Sequence, residues 1–185
     1  MQKLLDGTKK PVSEMFTCKY CNKAYSKEST LAAHLCEKKR RWQQEKETAT
    51  QFGLRAYLRF FEVTQGSAKL KSYEDFVSSP YYTAFVKFGN YCVSTRAINF
   101  LSFTEWLLKN NKKLDLWTKD AFYEEWLHDY IKKEAVQDAL ERALKEMELY
   151  ASGDSGIASF SHYFKYGNIN RICHHITTGR ISPWV

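Results

Sequence analysis

The chain contains no run of 18 apolar residues, which excludes a membrane-spanning helix. Met1 to Glu14 has no apolar stretch of the kind a secretory signal needs, so a soluble, intracellular protein is expected. Strand-like alternation is sustained nowhere outside residues 16–34, and no internal repeat is present, so an all-β body and a solenoid are both excluded. Catalytic signatures are missing as well: there is no Gly-rich phosphate loop, no G-x-S-x-G and no H-E-x-x-H. Asp120, Glu124, Glu125, His128 and Asp129 are the types that hold a catalytic divalent metal, with Glu124 and His128 one helical turn apart. An ordinary exposed helix face gives the same spacing, and the chain is read as non-enzymatic.

What is present is an aromatic and uneven chain. Its 185 residues are 44% hydrophobic and 16% aromatic, enough for one compact body beside a small module. The formal charge is +7, and residues 1–50 hold eleven Lys and Arg against six Asp and Glu. Most of the basic excess therefore sits at the N-terminal end. Three of the five cysteines also lie there; a reducing compartment is expected, with Cys92 and Cys173 as buried free thiols.

Residues Phe16 to His34 read F-T-C-K-Y-C-N-K-A-Y-S-K-E-S-T-L-A-A-H. The C-x2-C pair predicts a hairpin whose two thiolates converge, His34 projects from a following helix, and Phe16, Tyr25 and Leu31 are the candidate apolar wedge. Fewer than about 40 residues cannot fold on burial alone, so bound zinc is expected to supply the missing stability. The fourth ligand is less obvious. After three to five intervening residues, the positions beyond His34 hold Lys38, Lys39 and Arg40, while the nearest donor is Cys36. Residues two apart on a regular helix point about 200° apart, so Cys36 reaches the metal only if the helix loosens or tightens after His34. Cys36 is favoured; water, His128, His162, His174 and His175 stay open.

These residues resemble the two-Cys, two-His zinc finger over roughly Phe16 to Arg40, here with a Cys18, Cys21, His34, Cys36 set and Zn2+ as the implied metal. The resemblance implies a ββα module in which Lys27, Ser29, Thr30 and Ala33 stand where the family reads base edges. Only Lys27 is a strong donor, which argues against sequence-specific readout. One finger, a basic exit helix and an aromatic helical body together also resemble small accessory proteins encoded by large tailed phages. That likeness implies a bacterial host cytoplasm; in a eukaryote, Lys38 to Arg41 would suit a nuclear import signal.

The expected architecture is mostly α: a flexible leader (1–13), a small ββα finger (14–41) and a helical body (42–185) joined to it by a continuous basic helix. That helix is expected through most of Glu37 to Phe61, with Leu54, Tyr57, Leu58 and Phe61 facing the core. A second helical stretch turns at Ser79-Pro80, with Gly89-Asn90 as a C-cap or kink. Ser102, with Glu105 three residues on, predicts an N-cap. Thr118 to Tyr150 is the longest candidate, dividing near Glu134, with Phe122, Trp126, Ile131, Val136, Leu140, Leu144 and Met147 as its apolar face. Gly153 to Gly156 should break it, and Phe160 to Val185 mixes aromatics with Lys165, Arg171 and Arg180, read as core aromatics with a basic rim.

The functional expectation is a nucleic-acid-binding accessory protein of low sequence specificity, in phage DNA metabolism or transcription. Lys19, Lys23, Lys27, Lys38, Lys39, Arg40 and Arg41 would hold phosphates, of DNA rather than RNA. The body would dock a partner or form an oligomer. The alternative is an adaptor or inhibitor of a replication or transcription enzyme, docking through the body or through Tyr20, Tyr25 or Trp42.

Overall fold

Two short strands open the described chain, β1 (Phe16–Thr17) and β2 (Ala24–Tyr25), paired antiparallel with Phe16 opposite Tyr25. The computed structural model describes residues 15–66, 71–153 and 160–183; the expected leader, residues 154–156 of the expected breaker, and Trp184 and Val185 lie outside them. The chain divides into two compact units, Met1–Glu45 and Lys46–Val185.

In the first unit the C-x2-C segment closes the hairpin. The Cys18 N–H donates to the Lys23 carbonyl at 2.9 Å and the Asn22 N–H to the Cys18 carbonyl at 2.8 Å. Asn22 takes a left-handed φ of 57°, a conformation its short polar side chain tolerates. Helix α1 (Glu28–Ala33) follows, then His34-Leu35-Cys36, then α2 (Glu37–Gln43). The expected continuous helix is thus divided. The N–H of Gln44 closes α2 on the Arg40 and Trp42 carbonyls, and an extended Glu47 precedes α3 (Thr48–Gln65). Gln44 to Glu47 carries no apolar side chain, so packing cannot hold it helical, and short helices without packing are marginal.

The second unit is helical. After α3 come α4 (Tyr73–Ser78), α5 (Tyr82–Ser94), α6 (Phe100–Lys109), a 3₁₀ turn at Leu114–Leu116, α7 (Asp120–Ile131) and α8 (Val136–Gly153). A second 3₁₀ turn at Phe160–His162 leads to α9 (Tyr163–Tyr166) and α10 (Ile169–Thr177). The break at Ser79-Pro80 and the division near Glu134 fall where the sequence puts them. No helix among the described residues is long and apolar enough to cross a membrane.

The core is aromatic. Phe76, Phe85, Phe88, Phe103, Leu107 and Trp117 are fully buried, and the Trp117 ring meets Phe88 at 5.2 Å and Phe85 at 5.9 Å edge-on. The Trp117 indole N–H donates to the Lys112 carbonyl at 2.8 Å, so the large ring is buried without an unsatisfied donor.

Small residues decide which helix faces go inside. On α3 the buried residues are Thr50, Gly53, Ala56 and Tyr57, while Leu54, Leu58 and Phe61 are only half-buried. A Cβ on Gly53 would sit 2.8 Å from the Phe85 carbonyl oxygen, and one on Gly89 would overlap the Ala49 carbonyl oxygen. Gly89 is therefore neither cap nor kink: it lies inside an unbroken α5 and lets the backbones of α3 and α5 touch. On α8, Ala139, Ala143 and Met147 are buried, whereas Val136 is 75% exposed and Leu140 43%. Helix α6 begins earlier than expected: Asn99, not Ser102, is the N-cap, its side chain accepting from the Ser102 N–H at 3.1 Å. The earlier start places Phe100 on the buried face with Phe103 and Leu107.

Candidate metal centre and basic surface

Cys18, Cys21, His34 and Cys36 come together, with one ligand atom from each within 4.8 Å of the others. Cys18 and Cys21 are placed by the hairpin turn, and His34 ends α1 as its C-cap. Cys36 arrives because the helix does not continue past His34, the departure from regular helix that the spacing asked for. His34 has φ −70° and ψ 121° and Cys36 φ −81° and ψ 162°, so both ligand residues are extended and residues 34–36 belong to neither helix. The 200° divergence of positions i and i+2 holds only on a regular helix, and α1 has ended before Cys36. Cys36 is also the N-cap of α2, its sulfur accepting from the Lys39 N–H at 3.4 Å. Among the described residues this is the one Cys/His/Asp/Glu group that could hold a metal.

The histidine is oriented from behind. Nε2 lies 3.2 Å from the Cys21 sulfur, while Nδ1 lies 2.8 Å from the Tyr25 hydroxyl. Tyr25 was expected in an apolar wedge or at a docking surface. Its hydroxyl instead fixes the ring so that Nε2 faces the thiols, as outer partners of metal-binding histidines do.

The donor set fits a soft, tetrahedral cation. With metal–sulfur bonds of about 2.3 Å, tetrahedral edges are about 3.8 Å, compatible with the observed closeness. Electrostatics agrees. Burial pushes the Cys18 thiol up, but the N–H groups of Cys21 and Tyr20 and the thiols of Cys21 and Cys36 outweigh it and bring it to about 7. At Cys21 a bond from the Lys23 backbone lowers the thiol, yet burial and the neighbouring Cys18 and Cys36 leave it raised. One thiol ionises readily at the expense of the next. A bound cation is what allows all three to ionise together, and zinc is compatible with the set.

The seven candidate phosphate-binding residues divide into two groups. Lys19, Lys23, Lys27, Lys38 and Arg40 are exposed. Lys39 is half-buried, its ammonium donating to the His34 carbonyl at 3.0 Å, and Arg41 is half-buried and paired with Glu37 one turn earlier on α2. Lys27 is the extended N-cap of α1, and Ser29, Thr30 and Ala33 are all at the surface.

In the body, the residues weighed for other chemistry do not assemble into a metal site. Glu124 and His128 are exposed on α7, with His128 near Asp129 at 3.9 Å and Lys132 at 3.3 Å. Cys92 is buried as expected, and burial pushes its thiol up to about 12. Cys173 departs from expectation: it is exposed, because Ile172 is the neighbour that turns into the cluster of Ala143, Met147, Tyr163 and Ile181. His174 is exposed too, whereas His175 is buried against the Tyr163 hydroxyl at 2.7 Å. Glu146 collects His175 at 3.5 Å, Arg180 at 3.7 Å and Arg96 at 2.9 Å. The C-terminal basic rim is therefore partly inside: Arg180 is buried, while Phe164 and Tyr166 face solvent.

Comparison with protein-family models, characterised proteins and solved structures finds no match to this chain. The finger-like character rests on the cluster and its hairpin, and neither membership of the zinc-finger family nor the likeness to phage proteins is shown.

Proposed function

We propose that this chain is a zinc-ordered, non-enzymatic accessory protein that binds nucleic acid, DNA foremost, through phosphate contacts of low sequence specificity. The observation that supports this reading is the exposure of Lys19, Lys23, Lys27, Lys38 and Arg40 on one small unit ordered around the Cys/His cluster. The family-like reading positions carry no Arg, Asn or Gln, so affinity would come from charge and fall steeply with salt. Phage DNA metabolism or transcription is the setting this role suits.

The test is a titration of the zinc-quantified protein with fluorescent single- and double-stranded oligonucleotides at low and physiological salt, repeated after chelation. Zinc-dependent binding that collapses with salt is expected. Replacing Lys38 and Arg40 together by Ala should reduce the salt slope by about two. Binding that survives high salt, or is absent at low salt, overturns the reading.

A second reading, docking to a replication or transcription protein through the body, is favoured by one observation. Val136 and Leu140, one turn apart on α8, and Ile169 on α10 are exposed apolar side chains. Capture of such a partner, insensitive to salt and to the Lys38 and Arg40 substitutions, would support it over the first.

A further inference from the structure

Beside the metal ligands Cys18 and His34, the first unit contains a pocket of about 470 Å³. Its lining includes Thr17, Lys19, Tyr20, Leu31, Ala32 and Lys39. That volume lies within the roughly 300–1,000 Å³ of small-ligand clefts, and a general phosphate grip has no need of it. The lining brings together three kinds of chemistry. Tyr20 supplies an aromatic ring, half-buried and 6.4 Å from the Trp42 ring, with the Lys19 ammonium 5.0 Å from its centroid. Leu31 and Ala32 supply apolar contact. Lys39 supplies a cation already fixed in place, since one of its three N–H donors is held by the His34 carbonyl.

A ring, an apolar wall and two ammonium groups match a nucleotide whose base and phosphate are recognised together. A base inside a duplex is stacked on both faces and cannot enter such a pocket without being extruded. The alternative, groove reading by α1, is poorly served. The helix has six residues, about 9 Å of rise, and Lys27 is the sole strong donor among its reading positions. The interruption that lets Cys36 reach the cluster is also what keeps α1 short.

The geometry points to a finger that takes one unstacked base of a single-stranded nucleic acid against Tyr20, with the adjoining phosphate on Lys19 and Lys39. This deepens the phosphate-binding reading and rests on it.

The experiment compares binding of a fluorescent strand of about a dozen nucleotides, alone and annealed to its complement, to the full zinc-loaded chain. The single strand should bind about tenfold more tightly than the duplex. Tyr20→Ala should remove that preference while leaving the salt slope unchanged, because it deletes a ring and no charge, and Tyr20→Phe should restore it. Metal content is measured on each variant. A readout that needs no variant is a strand carrying 2-aminopurine, whose emission must change when an unstacked base meets Tyr20. Duplex bound as well as single strand, with Tyr20→Ala within about twofold of the parent, overturns the pocket and leaves the phosphate reading standing. Unchanged 2-aminopurine emission on a bound strand does the same. No binding of either form at low salt removes both.

Discussion

Among the described residues of the first unit, Cys18 is the one buried residue; in the second, Phe76, Phe85, Phe88, Phe103, Leu107 and Trp117 are all completely enclosed. Helices α1 and α2 bury nothing, while α5 alone buries Tyr82, Phe85, Phe88, Gly89 and Cys92. A unit without an apolar core has to find its stability in a few strong bonds, whereas one with a core spreads it over many weak contacts. The finger should therefore respond to chemistry at a single point, and the body to shape.

Metal removal should separate the two most sharply. A structural zinc site contributes about 10 kcal/mol, so a chelator should collapse the amide signals of residues 15–45 while those of the body persist. Loss of body structure on chelation would break the contrast. Gly89→Ala is the reciprocal experiment. Its new methyl would overlap the backbone of α3, and overpacking of this kind costs about 3 kcal/mol, or roughly 8 °C in the melting temperature of the body. Zinc content should not change; an unaltered melting temperature would mean that α3 and α5 do not touch as described.

Smaller effects refine the comparison. Tyr25→Phe removes the hydroxyl that orients His34 and should weaken zinc binding about tenfold in a competition titration, with the body unaffected. If affinity stays the same, Tyr25 is only a packing residue. In the body, burial lowers the proton affinity of His175; Glu146 opposes this, while Arg180, His174 and Arg96 reinforce it. The unfolded chain then takes up the proton first as pH falls. Stability present above the ordinary imidazole pKa of about 6.5 is lost as pH drops through the lowered folded value. Thermal melts of the body should fall by about 2 °C from about pH 7 to about pH 5, and His175→Gln should flatten that decline.

The residues of the candidate metal centre were legible before the fold because ligand spacing is a local property. The C-x2-C pair, His34 and Cys36 could be proposed from the chain itself, as could the predominance of helix, the stop at Ser79-Pro80 and the division near Glu134. The route of Cys36 was only partly legible: His-x-Cys required the helix to loosen or tighten after His34, but that α1 ends there, with His34 and Cys36 both extended, is seen only in the structure. The role of Tyr25 was hidden for a related reason, since an aromatic two positions from a strand turn reads as packing until its hydroxyl is seen 2.8 Å from Nδ1. Likewise the basic run Lys38 to Arg41 looks uniform in sequence, yet Lys39 and Arg41 are committed to His34 and Glu37.

The sequence by itself determined the class of this protein, a mostly helical chain with a Cys/His cluster able to hold a metal at its N-terminal end, because composition, periodicity and ligand spacing act over a few residues at a time. Tertiary structure alone decided which helix faces are buried. Bulky periodicity favoured Leu54 and Phe61 on α3 and Val136 and Leu140 on α8, but the buried stripes run through Gly53 and Ala56 and through Ala139 and Ala143. Two helices approach most closely where side chains are smallest, and that advantage exists only once the partner helix is in place.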